Sequence, residues 1–197
     1  PEGGGLFVPV SRPTKSRFVH WQVRGLLLFG RRRQALERIT EALHTNPSDA
    51  RALATRAHVL AELGEKPAAL QTLADLVALE PGQAASWFNY GFLSEELGLL
   101  EQAENAFQRA IAIDPQLDRA WYGLALCLIR QRRFDEAIKA LKKNTQLQPM
   151  SPYGWYQLAR VYVDRQEPEE AVKIIRHLKD FEPKFAKQLE RETGLTV

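Results

Sequence analysis

Apolar positions along the chain fall into short stripes of helical spacing, separated by turn residues. In residues 84–117, Trp87, Tyr90, Gly91 and Ser94 stand at i, i+3, i+4 and i+7, one face of a helix of about four turns. Gly98 ends that helix, because glycine accepts the left-handed conformation that closes a helix without steric cost. A second helix is predicted from near Glu101, with Ala103, Phe107 and Ala110 on one face. The small alanines let two helices approach while Phe107 fills the remaining gap. Pro115 stops it, since proline cannot donate to the preceding turn and restricts the residue before it.

The same arrangement recurs every 34 residues. Prolines stand at Pro47, Pro81, Pro115, Pro149 and Pro183, and alanines at Ala35, Ala69, Ala103, Ala137 and Ala171. Tryptophans follow at Trp87, Trp121 and Trp155, and glycines at Gly30, Gly64 and Gly98. Four residue types sharing one period define a repeat array. Ser151 followed by Pro152 gives the clearest start signal, with serine as the expected cap and proline preset for the first helical position.

The pattern Trp-x-x-Tyr-Gly, then Ala-x-x-x-Phe-x-x-Ala, then Pro, carried by Trp87, Tyr90, Gly91, Ala103, Phe107, Ala110 and Pro115, resembles the tetratricopeptide repeat. The resemblance implies an all-α, right-handed α-solenoid of five helix-turn-helix repeats, at 16–49, 50–83, 84–117, 118–151 and 152–185. Residues 1–15 are expected to be an extended or disordered lead-in. Residues 186–197 are expected to form a capping helix and tail, with Phe185 and Leu189 covering the last hairpin and Lys184, Lys187, Glu190, Arg191 and Glu192 facing water.

Departures from the pattern matter as well. The glycine midway along the first helix is Gly91 in the third repeat but Val23, Ala57, Ala125 and Ala159 elsewhere. The turn glycine becomes Arg132 and Gln166 in the last two repeats, where a slightly different turn is expected. The first repeat departs most, with Val19 at the tryptophan position and Gln22 where an apolar residue is expected.

In proteins of this family the first helices line a concave groove, so the residues flanking the packed stripe are the candidate binding surface. They are Arg51, Thr55 and His58, then Phe88, Asn89 and Phe92, then Arg119, Tyr122 and Leu126, then Tyr153, Tyr156, Gln157 and Arg160. Phe88, Tyr122 and Tyr156 are one period apart and predict a ladder of rings interleaved with Arg119 and Arg160, the residue kinds enriched at binding hot spots. The expected partner is a protein or peptide. The family's two-carboxylate clamp for chaperone tails is not matched: only Asn89 fits it, and His20, Ala54, Phe88, Tyr122 and Tyr156 stand where its lysine would begin.

Composition narrows the remaining classes. Lys and Arg number 27 against 24 Asp and Glu, a net charge of +3, and basic side chains dominate both ends while acidic ones dominate the middle. That split provides no continuous basic face, so no nucleic acid partner is expected. The clusters Arg31-Arg32-Arg33 and Arg130, Arg132, Arg133 fall at turns and read as solvated. The longest apolar run, Leu26 to Phe29, is far short of the ~20 residues of a membrane span. One cysteine, Cys127, excludes an internal disulfide and a thiolate metal cluster, and reads as a small buried apolar residue. It leaves the compartment unassigned, the cytoplasm being slightly favoured over the periplasm.

His20, His44, His58 and His177 lack ligand spacing, Glu95-Glu96 and Glu169-Glu170 point apart, and no nucleophile and base or phosphate loop emerges. The expectation is a non-catalytic scaffold with no metal and no cofactor. Two alternatives stand beside it. One is the substrate-recognition or assembly region of a larger enzyme, consistent with a chain that begins at Pro1 and runs through Gly3-Gly4-Gly5 as a fragment or processed protein would. The other is a homo-oligomer formed through the repeat ends or the N-terminal segment, whose Leu6-Phe7-Val8-Pro9-Val10 stretch could occupy a groove.

Overall fold

A computed structural model describes residues 14–196, which form eleven α-helices and, among these residues, no strand. Two compact units divide the chain, Pro1–Leu79 and Glu80–Val197. The first holds α1 (Thr14–Leu28), α2 (Arg32–Thr45), α3 (Ala50–Glu62) and α4 (Lys66–Leu79), with α1 paired to α2, α3 paired to α4, and α2 against α3. The second holds α5 (Ala84–Glu96), α6 (Leu100–Ile113), α7 (Asp118–Arg130), α8 (Phe134–Leu147), α9 (Pro152–Asp164), α10 (Pro168–Phe181) and α11 (Pro183–Thr193). Here α5–α6, α7–α8 and α9–α10 are hairpins, and α11 packs on α9 and α10. The N-terminal stretch expected to reach a groove lies outside the described residues, and helix has already begun at Thr14, inside the lead-in expected to be extended.

The periodic residues do the mechanical work their chemistry suits. Ala35, Ala69, Ala103, Ala137 and Ala171 are each fully buried, so the hairpins close at their narrowest point where no larger side chain fits. The indole N–H groups of Trp87, Trp121 and Trp155 donate to the carbonyls of Pro81, Pro115 and Pro149 at 2.8, 3.0 and 2.9 Å. At these three junctions the tryptophan and the proline are thus two ends of one hydrogen bond, which fastens the start of a helix to the end of the preceding one.

At the hairpin turns Gly30, Gly64 and Gly98 have φ of 71°, 80° and 76°. Arg132 and Gln166, at the same register, have φ of 59° and 63°. The turn expected to differ is therefore the same turn. Its hydrogen bonds explain why: Arg133 N–H donates to the Leu128 carbonyl at 2.9 Å and Arg132 N–H to that of Ile129 at 2.9 Å, matching Leu99 to Ser94 at 2.8 Å and Gly98 to Glu95 at 3.0 Å. This paired closure satisfies the last carbonyls of the helix and holds two non-glycine residues in a left-handed conformation.

Two further expectations are corrected. Ser151 makes no side-chain cap, although Pro152 does occupy the first turn of α9. The side-chain cap is seen at Asp49, whose Oδ1 accepts from Ala52 N–H at 3.0 Å. The arginine turns are also not simply solvated. Arg32 pairs with Glu62 at 2.8 Å in the first unit; in the second, Arg130 pairs with Glu95 at 2.9 Å and Arg133 with Glu104 at 2.8 Å, each joining successive hairpins.

Candidate partner-binding face

The second unit's candidate residues sit on α5, α7 and α9, on the sides of these helices that flank the packed stripe. Gly91 on α5 and Gly123 on α7 both abut Phe107 of α6, which is 1% exposed; a Cβ on Gly123 would lie 2.5 Å from the ring. That close approach fixes where the flanking side chains emerge. A second fixture lies one hairpin on, where Asn144 Nδ2 donates to the Asp118 carbonyl at 3.0 Å and its Oδ1 rests against Gly154.

At one end of this face, Phe92 is 51% exposed and stacks on Phe88, with ring centroids 6.3 Å apart and 27° between planes. Phe88 is half-buried because its other contact is Phe107, at 5.9 Å. The Arg119 guanidinium stands 5.1 Å from the Phe88 centroid, and Arg119 and Asn89 are both exposed. A stacked aromatic pair and a cation therefore meet across α5 and α7, and the exposed Asn89 is the residue next to Phe88 on α5.

Farther along, Tyr122 is half-buried and hydrogen-bonded to the side chain of Gln157. Burial raises its phenol above the ordinary value, opposed by that hydrogen bond. Leu126 is half-buried on the same helix. Tyr156 donates through its hydroxyl to Glu192 Oε2 at 2.5 Å and accepts from Gln188 Nε2 at 3.2 Å, with the Arg160 guanidinium 5.8 Å from its ring. Desolvation and the neighbouring carboxylate raise the Tyr156 phenol, while the phenol and Gln188 lower the Glu192 carboxyl. Phe185 meets Tyr153 and Tyr156 edge-on at 5.5 and 5.9 Å.

The predicted ladder is thus divided by its own surroundings. The Phe88 and Phe92 end presents ring and charge outward, whereas Tyr156 is engaged by α11. Glu192, expected only to face water, is the acceptor that engages it. Gln188 was not singled out from sequence; it lies past residue 185, where the last 34-residue repeat ends.

Arg51 and His58 belong to the first unit. Both are exposed on α3; His58 Nε2 lies 3.7 Å from Glu62 Oε1, the carboxylate that Arg32 also holds, and Thr55 Oγ1 donates to the Arg51 carbonyl. Cys127 is fully buried, as expected, and its thiol is pushed up to about 12 by burial, with Glu95 and Glu104 adding to the effect. Among the described residues no three His, Cys, Asp or Glu side chains gather as a metal-holding group, and no helix is long and apolar enough to cross a membrane.

Residues 26–88 and 96–155 match the tetratricopeptide repeat family. The chain belongs to that family, whose members generally serve as scaffolds for protein interaction. No curated protein matches the chain. Among solved structures it is similar to MamA residues 41 to the end from Desulfovibrio magneticus RS-1, with a TM-score of 0.81, 19% identity, and coverage of 88% of this chain and 98% of that one. It is also similar to YrrB, described as a tetratricopeptide repeat protein with an unusual peptide-binding site, at a TM-score of 0.76 and 18% identity, covering 86% and 88%. A Parabacteroides merdae tetratricopeptide repeat protein matches at 0.70 and 20% identity, covering 87% and 67%. These likenesses establish the fold.

Proposed function

We propose that the chain is a non-catalytic scaffold that binds a peptide or an extended segment of a partner protein along the first helices of its repeats. In the second unit the contact residues are Phe88, Asn89, Phe92, Arg119, Tyr122, Tyr156 and Arg160; Arg51 and His58 serve the same purpose on the first. The observation that carries this reading is the exposed Phe92 ring, stacked on Phe88 beside the guanidinium of Arg119. An exposed ring held at low entropy next to a forked donor is the composition of a binding hot spot. YrrB, similar in fold, is described as having a peptide-binding site, which supports the class of ligand.

A peptide-array or pull-down screen with the chain supplies the partner. Phe92→Ala combined with Arg119→Ala then tests the face while leaving Phe88 on Phe107. Binding should weaken at least tenfold, and an unchanged affinity would remove this face from consideration.

Self-association is the second reading, favoured by one observation in the first unit. Trp21, Leu28 and Phe29 are 79%, 79% and 83% exposed at α1 and its end, an apolar concentration of the kind that marks interaction surfaces. Sedimentation over a range of concentrations, with Leu28→Glu as the comparison, separates this from a monomeric scaffold.

A further inference from the structure

The tryptophan column has no tryptophan in the first repeat, and the consequence is a cavity. In the fifth repeat Trp155 packs edge-on against His177 at 4.6 Å, His177 meets Phe181 at 5.2 Å, and Phe185 meets Tyr156 at 5.9 Å. The same registers in the first repeat hold Val19 for Trp155, His20 for Tyr156, Glu41 for His177, Thr45 for Phe181 and Asp49 for Phe185. All five line a cavity of about 340 Å³ contained in the first unit. That volume lies at the lower end of the ~300–1,000 Å³ usual for small-molecule sites. Its floor is apolar, formed by Val23 and Ile39, which are 3% and 2% exposed.

Its rim is polar and already paired. His20 Nε2 lies 3.3 Å from Asp49 Oδ2, both side chains being largely sheltered, and Arg38 Nη1 lies 3.0 Å from Glu41 Oε2. A flat ring entering the cavity would therefore meet branched aliphatic carbon from Val23 and Ile39 and a polar edge of His20, Asp49, Arg38 and Glu41, whose carboxylates can accept an N–H. In repeats three to five the indole N–H is accepted by the proline carbonyl six residues earlier.

We propose that this cavity is a binding site for one indole-type ring, supplied as a small aromatic molecule or as a tryptophan side chain presented by a partner. It is separate from the face on α5, α7 and α9 and does not depend on it. The test is titration of the full chain with free indole and, separately, with a capped Gly-Trp-Gly peptide, followed by backbone amide spectra and thermal melts. Amide shifts centred on Val19, Ala42 and Ala52, with a raised Tm, are expected. Binding by free indole alone identifies a small-molecule site, and binding by the peptide identifies a side-chain site; either supports the proposal. Val19→Trp restores the repeat pattern and should weaken the binding at least tenfold. Should that variant not fold, Thr45→Phe, copying the fifth repeat, fills the same space from α2 and should do the same. Absence of these shifts with both probes at millimolar concentration, or binding that persists unchanged in the filled variant, overturns it.

Discussion

Replacing Gly123 by alanine asks whether the contact between α6 and α7 outweighs helix propensity. In an open helical position this change should stabilise by up to ~1 kcal/mol, because alanine loses less backbone freedom than glycine. Gly25 is such a position, with nothing within 4 Å of an added Cβ, and serves as the control. At Gly123 the added methyl would sit 2.5, 2.6 and 2.9 Å from three carbons of the Phe107 ring. The ring has little room to shift, since a Cβ at Gly91 would stand only 3.0 Å from its adjoining Cδ1–Cε1 edge and Phe88 packs 5.9 Å away. Overpacking of this kind costs roughly 1–3 kcal/mol, so the net effect should be a loss of about 1–2 kcal/mol. For a chain of this length that lowers Tm by roughly 2–8 °C. Urea unfolding followed by circular dichroism measures the difference, and the decisive comparison is Gly123→Ala in a Phe107→Leu background. There the methyl has room, and the substitution should become neutral or stabilising. A parent-like or raised stability for Gly123→Ala alone, or an effect that Phe107→Leu leaves unaltered, would refute the reasoning.

Other outcomes follow from the same geometry. Arg132→Gly with Gln166→Gly should stabilise by ~0.5–1 kcal/mol per site, since relief of the left-handed strain exceeds both the added freedom of the unfolded chain and loss of the exposed Arg132 contact with Phe134; thermal melts check this. Gly154→Ala drives a Cβ to 2.1 Å from Asn144 Oδ1, a buried side chain bonded to the Asp118 carbonyl, and should destabilise by ~2–4 kcal/mol in urea titration. Because the Cys127 thiol is held up at about 12 in the fold, it contributes stability that is complete below its unfolded value of about 8.5 and is lost as pH rises towards 12. Cys127→Ala should therefore lose less stability than the parent over that alkaline range, and thiol reagents at pH 8 should label Cys127 only once the chain unfolds.

Much of the helical order was legible because each periodic residue serves a backbone need that recurs with the hairpin. Pro115 and Gly98 end helices wherever they stand, so their spacing alone places the turns. Arg132 and Gln166 were misread for the same reason: their side chains do not announce a left-handed turn, and what holds them there is a pair of backbone hydrogen bonds. Gly123 and Gly154 carried no periodic signal, since each answers to one neighbour, Phe107 or Asn144, on an adjacent hairpin. The candidate face was legible as a set of positions but not as an environment. Phe88, Tyr122 and Tyr156 share one register, yet Phe107, Gln157 and Glu192 give them three different fates.

The bond from the indole of Trp87, Trp121 and Trp155 to the proline carbonyl six residues earlier also bears on how such a chain can change length. Removing residues 118–151 in one piece would place Trp155 six positions after Pro115, the separation that Trp121 has now. Duplication or loss of a whole unit therefore regenerates its own seam, whereas a cut of any other length breaks it.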